Sequence, residues 1–470
     1  MSSSRSERVL AALLASCVLG ACSLGGCSLG AVQRTGCEAE DCQAAFGFGS
    51  LCGEDGFCQR VEASPRCTRT FPEDLFTRPL DHRDAIVIGS LMDRRLDTQR
   101  AREDAAEIAF RSANDTGGLD GRPFGIVFCN IAEDNALDSL TRQEAAVASA
   151  IYLAEELRVP AIIGPSSSAD VQAVFLAVRE HGTLVMSPAA TSPALTGIDV
   201  QEPTDAAPGL LWRTAPPDTI QARAIVSDMR SRSVASVAVI HATDAYGEGI
   251  AQAFLDGFGD GATLLPFDNG SVLAEQVVVA GGLDVDEVLF VSSLTDEASG
   301  FINAIAGNAA YDDKGLFLTD SAANPDFVTD TSGSMARWPQ IRGTRPSLPS
   351  GPVYEIFASR FRTEYMGRDP GPFSFTAHAY DAAWLVLYGI AWAHHQENAI
   401  NGVTIARGLR HVSSGTAHDI QPSTFQPIVS SFASGDGVDV SGASGTLDYD
   451  PATEETAGPT EVWTVADLMP

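Results

Sequence analysis

The sequence predicts an α/β protein of two lobes, each built on a doubly wound parallel sheet, joined by a three-strand hinge with a cleft between them. Apolar strands alternate with amphipathic helices over most of the 470 residues, which is typical of parallel sheets. Several of these strands end in small hydroxylated residues, and ligands bind at the carboxyl ends of the strands in an open α/β sheet. The alternation begins again later in the chain, so we expect a second lobe.

The first lobe begins with two predicted strand–helix pairs. A strand is expected at residues 84–91 and a helix at residues 97–115, where alanines recur at helical spacing. A second strand at residues 122–130 and a second amphipathic helix at residues 138–157 follow. Together these pairs indicate the start of a doubly wound sheet.

Residues 161–191 predict a strand, a polar turn, a helix, a second strand and a second polar turn. The two strands stop in Ser166–Ser168 and in residues 187–192, which are small and mostly hydroxylated. A helix entered from such a turn presents free backbone N–H groups and its positive dipole end, so it can bind an anion without an arginine. Alternatively, Ser166 or Ser167 only caps the helix.

The second lobe is predicted from a helix at residues 223–231, a buried strand at 234–242 and a turn into another helix at 244–249. Two later strands, at residues 287–291 and 315–319, again end in small polar residues. Helices at 354–366 and 377–395 would complete the first lobe, and a last strand is expected near residues 461–465. The predicted ranges are 84–214 and 335–450 for the first lobe and 217–330 and 455–470 for the second.

The N-terminus has the order of an export signal. Arg5 and Arg8 precede a short apolar run that is too short to span a bilayer, and Leu19-Gly20-Ala21-Cys22 resembles a bacterial lipobox. We therefore expect residues 1–21 to be removed and Cys22 to carry the lipid anchor, with Cys27 as a second candidate. An ordinary secretory signal is the alternative. Because Ser23 and not an aspartate follows Cys22, we expect a periplasmic lipoprotein that is anchored in the outer membrane.

The cysteines agree with export. Residues 22–80 are interpreted as a tether and a small cysteine-rich segment, in which Cys37, Cys42, Cys52, Cys58 and Cys67 are disulfide candidates. The spacing lacks the paired C-x-x-C elements of a structural zinc site. Because five is an odd number, Cys27 or Cys129 is left as a sixth partner.

Charge and missing motifs exclude several functions. The 30 basic and 61 acidic residues give a net charge of −31, which makes nucleic acid and anionic membrane surface poor partners. The dinucleotide motif begun at Gly247 fails at Gln252, and no phosphate loop or hydrolase motif occurs. We therefore predict no catalytic residue, no cofactor and no metal. His394 and His395 diverge on a helix, so they are interpreted as a solvated or half-buried pair.

Five short motifs, in order along residues 84–465, resemble those of the type I periplasmic binding proteins, in particular the branched-chain amino-acid binding proteins of ABC importers. The motifs are IGPSSS (163–168), SPAATSP (187–193), DAYG (244–247), YDAA (380–383) and SGTLDYD (444–450). The resemblance implies the fold of that family. The cysteine-rich segment lies outside the family's pattern.

The resemblance also implies roles for individual residues. In the first lobe, Ser166, the backbone of Ala189 and the hydroxyl and amide of Thr191 would hold a ligand carboxylate. In the second lobe, Tyr246 would close over the ligand and Asp320 would face its ammonium group, because a buried carboxylate is stable there only when it is paired.

The side-chain pocket is expected to differ from the family's. Ser293 stands where the family often has an aromatic residue, and Leu91 and Asp93 fall where it places a further pocket wall. His241 is expected to be buried, and Asp381 to be structural, as a negative charge near a helix N-terminus.

The implied function is that of a membrane-anchored, non-enzymatic solute receptor. Its two lobes would close on an amino acid or a related zwitterion, and the closed form would be recognised by an ABC permease. The alternatives are a ligand-sensing receptor subunit, a scavenging lipoprotein, an enzyme acting on a small carboxylate, and a structural module with an inactive cleft.

Overall fold

Two six-stranded sheets form the framework of the chain. The computed structural model describes residue 37 and residues 39–134, 136–268 and 270–469. The strands are β1 (Ser50–Cys52), β2 (Cys58–Arg60), β3 (Arg69–Phe71), β4 (Ile86–Met92), β5 (Phe124–Asn130), β6 (Ala161–Ile163), β7 (Leu184–Ser187), β8 (Leu211–Arg213), β9 (Val237–Ala242), β10 (Ala262–Phe267), β11 (Glu287–Val291), β12 (Gly315–Leu318), β13 (Ile341–Pro346), β14 (Thr416–Asp419), β15 (Val438–Ser441), β16 (Tyr449–Asp450), β17 (Glu455–Thr456) and β18 (Thr460–Thr464).

The α-helices cover both faces of the sheets. They are α1 (Ala39–Phe46), α2 (Asp97–Asp115), α3 (Arg142–Ile151), α4 (Ser168–Val178), α5 (Asp218–Ser231), α6 (Ala245–Phe258), α7 (Gly270–Gly282), α8 (Thr295–Ala304), α9 (Pro325–Asp330), α10 (Pro352–Glu364), α11 (Thr376–Trp392), α12 (Gly402–Leu409) and α13 (Phe425–Ala433).

The first sheet has the order β3-β5-β4-β6-β7-β8, and all its pairings are parallel except that of β3 with β5. The second has the order β10-β9-β11-β12-β13-β18 and is parallel except for β18. Strands such as β4 and β9 are buried along their whole length, because helices cover both faces. The predicted fold class, two lobes with parallel-dominated sheets, is confirmed.

The core of the first lobe is organised around α11, every residue of which is buried. Because this helix is apolar on all sides, it must be surrounded, and it packs against α2 and α12 and near α13. Trp384 and Tyr388 stack within it and contact Phe425 from α13. The C-terminal part of the chain therefore completes the first lobe, as the sequence predicts.

The chain passes between the lobes three times. It leaves the first sheet after β8, returns after β13 to form α10, and leaves again before β18. Strand β13, at residues 341–346, lies in the second sheet, whereas the predicted range of the second lobe ends at residue 330. The sequence does not predict this strand, because IRGTRP lacks an apolar run. In the structure it pairs between β12 and β18.

Three disulfides hold the cysteine-rich segment. Cys37 is bonded to Cys52 and Cys42 to Cys58, while Cys67 is bonded to Cys129 on β5. All five disulfide candidates are therefore paired, and the sixth partner is Cys129. Strand β3 extends the first sheet from this segment, so the segment is built onto the lobe and not only linked to it.

The predicted signal peptide, residues 1–21, and the lipidation candidates Cys22 and Cys27 lie outside the described residues, so their roles stay predictions. Within the described part of the chain, no helix is long and apolar enough to cross a membrane.

Candidate ligand-binding site

The two lobes touch each other beside the ends of their strands. The Ser192 hydroxyl, after β7, donates a hydrogen bond to the Ala245 carbonyl, after β9. A Cβ atom on Gly249 would lie 2.9 Å from Ser192 Oγ, so glycine permits this close approach. Further along the cleft, the Ser374 hydroxyl donates to the Ala323 carbonyl at 2.8 Å. The lobes are therefore closed on each other.

Serines hold together the two polar turns of the first lobe. The Ser168 hydroxyl accepts from the amides of Thr191 at 3.2 Å and Ser192 at 3.1 Å. The Ser187 hydroxyl donates to the Pro165 carbonyl at 2.7 Å. These contacts bring the ends of β6 and β7 into one rigid wall of the cleft.

Thr191 contributes its hydroxyl to the site, but not its amide. Both groups are predicted to hold a ligand carboxylate, yet Ser168 accepts the only N–H of Thr191. Thr191 Oγ1 is buried and has no hydrogen-bond partner among the described residues. Of the two groups, only the hydroxyl can turn toward a ligand, and it lies beside the Asp218 carboxyl.

The alternative roles of the neighbouring serines are separated by the structure. Ser167 is the cap of α4, and its hydroxyl accepts from the Asp170 amide at 3.2 Å. Ser166 does not cap the helix, and its buried hydroxyl contacts Met92 Sδ at 3.4 Å. The amide of Ala189 makes only a long contact, 3.4 Å, to Ser187 Oγ. Ser166 and Ala189 thus stay candidates for the carboxylate end of a ligand.

Tyr246 and Asp320, both predicted, meet in the second lobe. The Tyr246 hydroxyl donates to Asp320 Oδ1 at 2.5 Å, and Gln221 Nε2 donates to the same oxygen at 3.0 Å. Asp244 caps α6 through the Gly247 amide and so places Tyr246 in the first turn of the helix. Burial raises the pKa of Asp320, and the two hydrogen bonds oppose this rise.

Asp218 is a second buried carboxylate that sequence reasoning missed. It is fully buried, and neither carboxylate oxygen accepts a hydrogen bond of normal geometry from a described residue. Its amide donates to the Thr191 carbonyl at 2.7 Å, which places it beside the free hydroxyl of that residue. Burial and the charge of Asp320 raise the pKa of Asp218 well above its usual value. Its position after Pro216 and Pro217 suggested only a crossing between lobes.

A positively charged corner faces Asp320 from the first lobe. Arg102, on α2, is buried, and its Nε donates to the Ser374 carbonyl at 2.9 Å. The guanidinium lies over the Phe375 ring, with 5.2 Å from Cζ to the centroid. His378 is buried against the same ring. Burial lowers the pKa of Arg102 to about 10, and Asp320 opposes this effect.

The other three predicted pocket residues have local partners. Leu91 is fully buried in the apolar cluster on one face of the first sheet, so its side chain is a core residue and not a pocket wall. The Asp93 carboxylate pairs with Arg95 at 3.1 Å and also accepts from the Arg95 amide at 3.0 Å. Ser293 is half-buried and its hydroxyl is 3.5 Å from Asp244 Oδ2, near the start of α6.

His241 is buried as expected, whereas Asp381 is structural for a different reason from the one expected. His241 is buried, its Nδ1 is 3.0 Å from the Ala242 carbonyl, and burial lowers its pKa. Asp381 does not act through the helix dipole, because it lies in the second turn of α11. It accepts hydrogen bonds from the amides of Ala443 and Ser444, which fastens that loop to the helix.

His394 and His395 are half-buried, as predicted, but both approach the same carboxylate. Their Nε2 atoms are 3.2 Å and 3.8 Å from Asp120 Oδ2. The chain forms a π-helical turn at Ala393–Glu397, which is wider than an α-helical turn and reduces the angle between adjacent side chains. The two rings therefore diverge less than the sequence predicts.

Part of the sequence is similar to a curated binding protein. The Leu/Ile/Val-binding protein of Escherichia coli (strain K12) is 29% identical over 175 residues, which cover 36% of this chain and 42% of that protein. The alignment therefore spans less than half the length of this curated relative.

Solved structures share the fold over a larger part of the chain. A branched-chain amino acid transporter substrate binding protein of Streptococcus pneumoniae, in complex with isoleucine, has a TM-score of 0.60 and 20% identity, covering 81% of this chain and 96% of that one. A leucine binding protein of Thermotoga maritima has a TM-score of 0.61 and 18% identity, with coverage of 80% and 94%.

A family model described as "Periplasmic binding protein" matches residues 97–426, which is more than half of the chain and includes most of both lobes. The chain belongs to the periplasmic binding protein family.

Proposed function

We propose that this protein is an exported solute-binding protein that captures an amino acid or a related small zwitterion between its lobes. The observation that carries the proposal is the group of buried polar side chains at the closed cleft, above all Asp218 with the Thr191 hydroxyl beside it, for which the described residues supply no hydrogen bond of normal geometry. Buried polar groups are normally hydrogen-bonded, so groups without a protein partner at a cleft are candidates for contact with a ligand.

The ammonium group of the ligand would lie between the two carboxylates. Asp218 and Asp320 raise each other's cost of ionisation, because both are buried and carry the same charge. A cation placed between them removes that repulsion and supplies hydrogen-bond donors. Tyr246 and Gln221 hold Asp320 in position for this contact.

The carboxylate group of the same ligand would face the polar turns of the first lobe. Ser166 and Ala189 lie on those turns, and the Thr191 carbonyl on the second turn accepts from the Asp218 amide. A zwitterion would therefore contact the first lobe with its anion and the second lobe with its cation. Contact with both lobes would stabilise the closed form over the open one.

Closure would be the signal that a partner reads. Relatives with this fold are named as components of branched-chain amino acid transporters, and we propose that an ABC permease recognises the closed form of this chain as well. The predicted lipid anchor at Cys22 would keep the protein at the membrane. An outer-membrane anchor would favour the sensing or scavenging alternatives, because the permease lies in the inner membrane.

A ligand screen tests the proposal. The wild-type chain, mixed with single amino acids, should show a higher unfolding temperature with at least one of them, since a ligand at 100 times its Kd adds about 2.7 kcal/mol. Asp320→Asn should need at least ten times more ligand to reach the same rise in unfolding temperature. Asp313→Asn, an exposed aspartate of the same lobe, is the control. If no amino acid stabilises the wild type, the proposal is wrong.

A further inference from the structure

The corner formed by Arg102, Phe375 and His378 lies at the cleft, but the contacts proposed for a simple zwitterion involve none of these side chains. All three side chains are less than a tenth exposed: 8%, 6% and 6%. Arg102 lies on α2 of the first lobe, and its Nε is fixed by the Ser374 carbonyl. Ser374 in turn donates to Ala323 of the second lobe. The corner is thus held at the junction of the lobes.

The terminal nitrogens of Arg102 are unpaired. Among the described residues, no hydrogen bond or ion pair within 4.0 Å uses its Nη1 or Nη2. Asp320 attracts Arg102 electrostatically but is too far away to form an ion pair with it. These two nitrogens are not fully enclosed, so an acceptor from outside the protein can reach them.

His378 supplies a second unpaired polar group in the same corner. Its Nδ1 is buried without a hydrogen-bond partner in the described part of the chain. Burial and the neighbouring Arg102 lower the pKa of His378 to about 3, so the ring is neutral at pH 7. A neutral imidazole can donate one hydrogen bond, and the Nδ1 atom of His378 is free for that role.

The corner lies at the Asp320 end of the cleft. Arg102 interacts electrostatically with Asp320, whereas the charges acting on Asp218 are those of Asp320 and Arg213. Asp218 lies beside Thr191, on the side of the serine turns. Among the described residues, Arg102 makes no hydrogen bond with Ser166, Ala189 or Thr191, so an α-carboxylate bound at the serine turns leaves its terminal nitrogens for another acidic group.

We propose that Arg102 and His378 bind a second carboxylate, at the end of the ligand's side chain, and that the ligand class is a dicarboxylic amino acid. This inference rests on the proposed function. A guanidinium forms two parallel hydrogen bonds to a carboxylate, and His378 adds a third donor. An aliphatic side chain would leave all these donors unpaired, and sites built to hydrogen-bond a ligand group discriminate strongly against analogues that lack it.

Calorimetric titration of the full chain at pH 7 with L-glutamate, L-aspartate and L-leucine tests the inference. We expect one of the two dicarboxylic amino acids to bind at least tenfold more tightly than L-leucine. Arg102→Met, which keeps the length and apolar stem of the side chain, should abolish that preference while leaving leucine binding unchanged or tighter. Arg100→Met removes an exposed charge from the same helix and should behave as wild type.

Each outcome separates this inference from the proposed function. Tighter binding of leucine than of both acidic amino acids, with no change in Arg102→Met, would overturn the dicarboxylic assignment and leave the proposed function standing. Binding of no amino acid would overturn both. If Arg102→Met does not fold, the same comparison is made with His378→Gln, which should lower the affinity for the acidic amino acid but not that for leucine.

Discussion

At the scale of single residues, the site is defined by charges that the protein alone does not neutralise. Tyr246 and Asp320 were predicted from their motifs, and the structure brings them within 2.5 Å of each other. Asp218 and Arg102 were not predicted. Asp218 resembles an ordinary acidic residue in the first turn of a helix, and Arg102 one of several charges on α2. Only the fold shows that both are buried.

Asp218→Asn should weaken ligand binding and raise the stability of the ligand-free protein. Because the pKa of Asp218 is raised in the folded state, this carboxyl stabilises the fold below about pH 4, where both states are protonated. That contribution is lost as the pH rises toward the folded-state pKa. The amide does not ionise, so at pH 8 we expect the ligand-free variant to gain about 1 kcal/mol or more in unfolding free energy.

Urea unfolding at pH 5 and pH 8 measures this difference, which should be larger at pH 8. The same variant should bind its amino acid at least tenfold more weakly, since a hydrogen bond to a charged group contributes about 1.5–3 kcal/mol. A variant that is less stable than the wild type at pH 8 would show that the ionised carboxylate has a stabilising partner.

At the scale of elements, the cysteine-rich segment is part of the first lobe. Arg66 pairs with Asp138, and Arg69 on β3 pairs with Glu103 and Glu107 on α2. Hydrophobic periodicity predicted β4, β6, β7, β9, β11 and β12, and α2 with its observed bounds. It could not predict β3, which is three residues long and is held by β5, the Cys67–Cys129 bond and the ion pairs of Arg69.

The Cys67–Cys129 bond should contribute more to stability than either of the other two. It closes a sequence separation of 62 residues, against 15 and 16, and the entropy lost by the unfolded chain increases with loop length. Replacing both Cys67 and Cys129 by alanine should lower the free energy of unfolding by about 4 kcal/mol. Replacing Cys37 and Cys52 should cost about 3 kcal/mol.

Denaturant unfolding of the two double variants under oxidising conditions gives both values. If the loss for Cys67 and Cys129 is the smaller one, the segment does not depend on this bond for its attachment. The ion pairs of Arg66 and Arg69 would then account for it.

At the scale of the whole molecule, function would depend on the equilibrium between open and closed lobes. The direct contacts between the lobes include the approach of α6 to the turn around Ser192 and Pro193. A ligand that contacts both lobes shifts the equilibrium in proportion to its preference for the closed form.

Gly249→Leu tests whether closure limits affinity. A Cβ atom at Gly249 would lie 2.9 Å from Ser192 Oγ and from Pro193 Cδ, so a leucine fits only if the lobes separate. We expect a larger radius of gyration by X-ray scattering and at least tenfold weaker ligand binding. The fold itself should not be weakened, because leucine favours a helix over glycine by several tenths of a kcal/mol or more.

The matched control is Gly300→Leu on α8, where a Cβ atom would meet no other atom within 4 Å. This variant should gain the same helix propensity without opening the lobes, and its radius of gyration and affinity should equal those of the wild type. If Gly249→Leu also matches the wild type in both measurements, the α6 contact is not needed for closure. If it opens the lobes but keeps its affinity, binding takes place on one lobe alone, and the contacts assigned to Asp218 and Asp320 would have to be formed without closure.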